Sequence, residues 1–255
     1  MPILNTSLKI FNYPDKIRSL PASEAVLPPV HVRIKPTNVC NHDCWFCAYR
    51  QDDFQLGETM VERDQIPLDR MMEIVDDLID MGVQAATFSG GGEPFVYPHL
   101  LKTVRRLAEH GIAFASLTNG SRLSGALAEV FAEHGTWVRV SLDGWDGPSY
   151  ARFRSVKETE FAKVLANMEA FKKLGGRCVL STVIVVGHDN GPHVHELVSR
   201  LAPLGLDSIK ISPVIVSNDG AENQAYHARH YELVKDQVAR AFFNYTATTE
   251  ISDAF

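Results

Sequence analysis

From Val30 onward, short runs rich in β-branched and aromatic residues alternate with longer amphipathic segments that close on glycine. The runs that predict strands are 32–35, 85–88, 113–117, 137–142, 178–186 and 208–212. Several are continuously apolar, the pattern of parallel strands covered on both faces. Between them, helical stretches are expected at 67–81, 99–110, 123–134, 161–174 and 194–204, ending at Gly82, Gly111, Gly135, Gly175 and Gly205. The first opens on Pro67 and sets Ile74, Leu78 and Met81 on one face. A last helix is expected over 221–243, polar at first and apolar near its end.

Repeated strand–helix units require parallel strands joined by right-handed crossovers. Six units fall short of the eight that close a TIM barrel, so the expected fold is α/β, an open partial (β/α)6 TIM-like barrel with parallel strands. Chemistry in such a fold sits on the loops after the C-terminal strand ends. Residues 1–29, with Pro14, Pro21, Pro28 and Pro29, read as an irregular N-terminal extension. Residues 30–220 form the core barrel, and 221–255 a C-terminal helix and tail. Either the barrel has no accessory module, or a natural extension after Phe255 has been removed.

Three of the four cysteines fall on the first of these loops, as Cys40-Asn-His-Asp-Cys44-Trp-Phe-Cys47. Tight clustering suits metal ligation better than a disulfide framework. Three thiolates on one loop converge on one centre, and a [4Fe-4S] cube with three protein ligands keeps one iron open, the mark of a catalytic site. A zinc site with a remote fourth ligand satisfies the same spacing. After the second strand comes Ser89-Gly-Gly-Gly92-Glu93-Pro94, where glycines permit close backbone approach and Glu93 offers an anion to an ammonium group. Thr118-Asn119-Gly120 follows the third strand and reads alone as a turn. The fourth ends Ser141-Leu-Asp143-Gly144, with a hydroxyl and a carboxylate on one strand face.

Taken together and in this order, the C-x3-C-x2-C loop, Gly-Gly-Glu-Pro and Ser-Leu-Asp-Gly resemble the radical S-adenosylmethionine (SAM) superfamily. The likeness covers about residues 30–215 and is strongest to the branch of the molybdenum-cofactor biosynthesis cyclase and the SPASM-type enzymes. It implies that Cys40, Cys44 and Cys47 ligate a [4Fe-4S] cluster whose fourth iron takes the amino and carboxylate groups of SAM. It implies Phe46 beside the adenine, and Gly91, Gly92 and Glu93 at the methionine ammonium. Ser141 and Asp143 would lie near the ribose and the methionine carboxylate. An arginine soon after the fourth strand would meet that carboxylate; Arg152 is the choice and Arg154 the rival. The match weakens at Val183–Gly187, which supplies an apolar wall and no transferable contact.

The implied chemistry is reductive cleavage of SAM to a 5′-deoxyadenosyl radical that abstracts hydrogen from a small-molecule, sugar or peptide substrate. A low-potential donor, flavodoxin or ferredoxin, would supply the electron. The alternatives are a non-catalytic iron–sulfur or zinc-binding protein, and a SAM-dependent radical methyltransferase.

A formal net charge of −6 argues against a broad nucleic-acid-binding face while leaving room for a local basic pocket. No run approaches the roughly 18–20 apolar residues of a membrane span, and the N-terminus lacks a signal-peptide pattern. A cytoplasmic protein is therefore expected, where thiols stay reduced. Cys178, inside an apolar run, reads as a core thiol. His193 and His195 read as surface residues, whereas Trp45 and Trp145 fit a substrate stack or a cluster cover equally. His188, Asp189, Asn190, Asn218 and Asp219 follow strands five and six and suit either a substrate pocket or turns.

Overall fold

The computed structural model describes residues 11, 13–19, 27–50, 58–244 and 248–251. Seven parallel strands stand in chain order in one sheet: β1 (His31–Ile34), β2 (Ala85–Phe88), β3 (Ala113–Thr118), β4 (Trp137–Ser141), β5 (Val179–Val186), β6 (Ser208–Pro213) and β7 (Thr248–Ile251). Among the described residues β1 and β7 do not pair, so the curved sheet stays open. The helices are α1 (Pro14–Ser19), α2 (Leu68–Asp80), α3 (Leu100–Glu109), α4 (Gly125–His134), α5 (Gly147–Arg154), α6 (Thr159–Lys173), α7 (Val194–Leu201), α8 (Gly220–Ala228) and α9 (Tyr231–Asn244). No described helix is long and apolar enough to cross a membrane.

The open parallel barrel is as expected, and several elements differ from the expectation. A seventh strand follows the last helix, where a tail was expected, and it pairs Lys210 with Glu250. The expected 221–243 helix is two helices, broken at Arg229 and His230. The proline-bearing extension holds α1, while the rest of the expected 1–29 extension and the tail at 252–255 lie largely outside the described residues. Finally, α2 buries Met71, Val75 and Leu78, and Met81 is exposed. The buried stripe shares Leu78 with the expected one but takes Met71 and Val75 in place of Ile74 and Met81; burying each such side chain stabilises by about 1.5–3 kcal/mol.

Helices cover one face of the strands. Phe88, Phe114, Val138, Val140, Leu180, Ile184, Ile209 and Ile211 face the helices and form the core with Leu100, Leu107, Phe131, Val164 and Met168. Residues of the opposite parity line the concave face. Register carries one row from Arg33 through Thr87, Ala115 and Trp137 to Val179. A higher row runs from Ser141 through Val183 to Lys210. The expectation of strands apolar on both faces therefore holds only in part: this face mixes Trp137, Val179 and Val183 with Arg33, Thr87, Ser141 and Lys210.

Gly82 and Gly111 turn the chain out of α2 and α3 at φ near +70°, which an L side chain rarely adopts. Gly135 is different. Its φ is −65°, and a Cβ there would lie 2.6 Å from the Phe131 carbonyl oxygen, so closeness and not handedness demands glycine.

Candidate functional site

At the C-terminal end of β1 the chain leaves Thr37, which is buried and accepts from the Val39 amide through Oγ1 at 3.0 Å. It then turns through the cysteines, with Cys47 N–H donating to the Cys44 carbonyl at 3.0 Å and Arg50 N–H to the Cys47 carbonyl at 2.8 Å. Three neighbours pin this loop. Asp43 N–H donates to the Arg154 carbonyl at 3.0 Å. Asn41 donates to Ser121 Oγ at 2.8 Å and accepts from Asn119 Nδ2 at 2.9 Å.

The glycine run after β2 runs beside the same segment. Gly92 N–H donates to the Thr37 carbonyl at 2.8 Å and Glu93 N–H to the Val39 carbonyl at 2.9 Å. A Cβ at Gly92 would fall within the van der Waals radius of the Val39 carbonyl, and one at Gly91 would strike Asn38 and Thr37. Both glycines line the cavity; the neighbouring backbone denies Gly92 a side chain, and a φ of +68° together with Asn38 Oδ1 and the Thr37 carbonyl denies Gly91 one. Gly92→Ala is expected to lower the melting temperature and to reduce the iron retained after reconstitution. The colliding atom is a backbone carbonyl that no rotamer change can move aside. Gly111→Ala, which meets nothing within 4 Å, is the comparison: it strains only a positive φ, and iron content should hold.

Glu93 is fully buried behind those glycines. Its Oε1 accepts from Phe95 N–H at 3.0 Å and Thr118 Oγ1 at 2.6 Å, and its Oε2 from Asn119 N–H at 2.6 Å. A carboxylate offers about four acceptor sites, so one remains on Oε2. Burial pushes the carboxyl up; those three donors and the Arg154 charge pull the other way. Thr118-Asn119-Gly120 is thus more than a turn, since it holds Glu93 in place.

Asp143 is fully buried and does not line the cavity. It pairs with Arg154, 3% exposed, and accepts from Val185 N–H at 2.6 Å. Burial pushes the Asp143 carboxyl up and the guanidinium pulls it down, while Asp143 holds Arg154 charged. Arg154, at the end of α5, lines the cavity and lies 5.5 Å over the Phe46 ring and 5.6 Å over Tyr150. Arg152 points elsewhere, over Trp145 at 5.9 Å and Phe153 at 6.0 Å. Two residues along a helix put the arginines on different faces, so Arg154 and not Arg152 stands at the site. The sequence signal for α5 was present: Asp146 caps it and Ser149 closes a capping box.

A cavity of about 300 Å³ results, with Cys40, Cys44, Phe46, Cys47, Gly91, Gly92, Glu93, Ser141 and Arg154 all in its wall. Sequence reasoning missed His42, Tyr49, Arg50, Thr118 and Asn119, which share that wall. His42 is 3% exposed, and burial beside Arg154 pushes its imidazole down to about 3. Burial pushes the Cys44 thiol up to about 11, so it keeps its proton until a cation arrives.

Among the described residues, both His42 ring nitrogens and Arg154 Nε are buried without a partner. Buried polar atoms are nearly always paired, so the wall is built for a polar occupant. Among the described residues no three His, Cys, Asp or Glu side chains draw together as one metal ion requires. A four-iron cube takes each thiolate on a different iron, so three sulfurs spread around one cavity suit it better than a single tetrahedral zinc.

Of the remaining candidates, Cys178 is a core residue, 6% exposed. His193 stacks on Trp145 at 3.7 Å between centroids. His188 stacks on Tyr226 at 3.8 Å, Asn190 is buried and braces Gly187, Val185 and Asp143, and Asp219 caps α8.

Residues 34–201 match the family model described as the Radical SAM superfamily. A GTP 3′,8-cyclase of Ectopseudomonas mendocina is 30% identical over 181 residues, 69% of this chain and 52% of that one. An S-adenosylmethionine-dependent nucleotide dehydratase of Flammeovirga pacifica is 23% identical over 206 residues, 80% of this chain and 69% of the relative. The chain spans about half the length of the cyclases it matches. Among solved structures, Streptococcus suis SuiB bound to S-adenosylmethionine superposes with a TM-score of 0.68 at 16% identity, covering 99% of this chain and 57% of SuiB.

Proposed function

The chain belongs to the radical SAM superfamily, and on that premise we propose that it holds a [4Fe-4S] cluster, binds SAM and abstracts hydrogen from an organic substrate. One observation carries this reading: the three clustered cysteines share a cavity wall with Glu93, Ser141 and Arg154. A structural cluster or zinc site has no use for those three. Bound there, the cluster supplies an electron and SAM the 5′-deoxyadenosyl radical, chemistry that belongs to the cofactors.

The chain's own residues hold and orient. Cys40, Cys44 and Cys47 would ligate three irons. Glu93 offers its remaining acceptor site to the methionine ammonium, and the Gly91–Gly92 backbone lets that group come close. Arg154 would meet the methionine carboxylate, with Asp143 as its positioning residue. Ser141 offers a hydroxyl to the ribose, and Phe46 a ring face to the adenine. Residues 30–220 would be the catalytic core, 1–29 an extension, and 221–255 the way into any further module. A low-potential flavodoxin or ferredoxin in the cytoplasm is the proposed reductant. The substrate would be a small molecule, a sugar or a peptide; the named activities of the cyclase and dehydratase relatives favour the first.

The test is anaerobic. With dithionite and SAM alone, reconstituted protein is expected to form 5′-deoxyadenosine slowly, since cleavage needs only an electron. With substrate, turnover should rise and deuterium from its reacting carbon should enter the 5′-deoxyadenosine. S-adenosylhomocysteine and a methylated product, without 5′-deoxyadenosine, would establish the methyl-transfer alternative instead.

A further inference from the structure

One turn sets both Cys47 and Arg50. The Arg50 N–H donates to the Cys47 carbonyl at 2.8 Å, and both residues stand in the cavity wall. Among the described residues that wall holds two guanidinium groups, Arg50 and Arg154, and their surroundings differ. Arg154 is neutralised at contact by the buried Asp143 carboxylate. Arg50 has looser counter-charges: its Nη1 lies 3.6 Å from Asp43 Oδ1 and 3.8 Å from Glu62 Oε2, both beyond hydrogen-bond length. Those two acids are 71% and 69% exposed, so water screens them, whereas the Arg50 side chain is only 13% exposed. Among the described residues its Nε is buried without a partner.

The Arg50 charge is felt at the cysteines. Burial pushes the Cys40 thiol up, while the His42 amide and the Arg50 charge pull it down against Glu93. A guanidinium held this far from water, with one N–H unmet and no carboxylate in contact, is costly until an anion completes it. Three thiolates make a four-iron cube net negative, and its one-electron reduction adds a further negative charge without breaking a bond. A neighbouring cation lowers the energy of the more negative state. Net charge, hydrogen bonds to sulfur and solvent exposure are what set the potential of such clusters.

Resting on the function proposed above, we propose that Arg50 is the residue that sets the reduction potential of the cluster. Its guanidinium, on the cysteine side of the cavity and largely out of water, favours the reduced form and so brings the cluster within reach of a low-potential donor. Nε–H is the donor it has to offer a sulfur. The division of labour in the wall follows from the two environments. Arg154, fixed by Asp143, is placed to meet an oxygen of SAM, whereas Arg50 keeps its charge for the irons.

The experiment is an anaerobic redox titration of reconstituted protein, followed by the electron paramagnetic resonance signal of the reduced cluster. Arg50→Gln is expected to move the midpoint to a more negative potential. At an effective dielectric constant of about 20, a unit charge in the wall of a cavity shifts a one-electron equilibrium roughly tenfold, which is about 59 mV. Arg50→Lys should return most of the shift, because it keeps the charge and loses only the planar fork. Glu62→Gln should move the midpoint the other way, by a smaller amount, because it leaves the Arg50 charge less neutralised. If Arg50 merely tied the cysteine loop to Glu62, both neutral variants would break the same tie and shift the midpoint in the same direction.

A wild-type midpoint in Arg50→Gln, a midpoint in Arg50→Lys as negative as in Arg50→Gln, or a Glu62→Gln midpoint at or below that of the wild type would each overturn the inference. Should Arg50→Gln hold no iron, Glu62→Gln decides alone, and its midpoint must lie above the wild type's. A wild-type protein that takes up no cluster, or whose spectrum ignores SAM, defeats the proposed function and this inference with it. A cluster that responds to SAM but whose midpoint ignores Arg50 defeats only the inference.

Discussion

Cys40→Ala, Cys44→Ala and Cys47→Ala are each expected to drop reconstituted iron from about four per chain to near zero. All three cysteines are only partly buried, so their loss removes a ligand without opening a hole in the core. Far-ultraviolet circular dichroism should therefore stay close to wild type while the visible charge-transfer absorption disappears. Cys178→Ala is the control with the opposite pattern. Its sulfur lies in the core beside Gly135, far along the chain from the cysteine loop, so iron should be retained. Stability should fall by about 0.5–3 kcal/mol, as is usual for a trimmed core side chain. A tetrahedral zinc in freshly purified anaerobic protein, with no cluster obtainable by reconstitution, would refute the assignment.

The fold was legible because its signal is periodic. A strand run followed by a helix closing on glycine, repeated along the chain, admits few topologies, and the parallel order follows from the crossover rule. Where the reading failed, local pattern had no access to the physics. Apolar runs such as 183–186 do not tell which face meets helices, and only register reveals that Arg33, Arg139 and Lys210 share one sheet face. The residues 248–251 are too few to announce a strand; pairing with β6 makes them one.

The candidate site divides in the same way. Its cysteines and Glu93 stand out by spacing, and the structure brings them to one cavity. Glu93's grip by Thr118 and Asn119 is a contact 25 and 26 residues away in sequence, invisible to any local motif. Asp143 shows the limit most sharply. Alternation puts it on Ser141's strand face, yet β4 ends at Ser141 and the chain turns Asp143 inward, against Arg154 and the Val185 amide.

That inward turn gives the second large effect. Asp143→Ala is expected to destabilise the protein by about 3–5 kcal/mol, because it leaves the Arg154 guanidinium buried and uncompensated. It also leaves the Val185 N–H without its acceptor. In a chain of this size the melting temperature should drop by roughly 6–20 °C. The same change should weaken SAM binding, since an Arg154 freed from Asp143 no longer holds its place over Phe46. Stability and binding separate in the double variant Asp143→Leu, Arg154→Met. Removing both charges eliminates the unpaired ion, so much of the lost stability should return. SAM binding should not return, because the guanidinium that would meet its carboxylate is gone. The response of the reduced cluster's electron paramagnetic resonance spectrum to added SAM reads the second property, and thermal melting reads the first. A double variant that binds SAM at the wild-type concentration would show that the pair serves only the fold, and the carboxylate partner would have to be sought elsewhere in the cavity wall, with Arg50 the first to test.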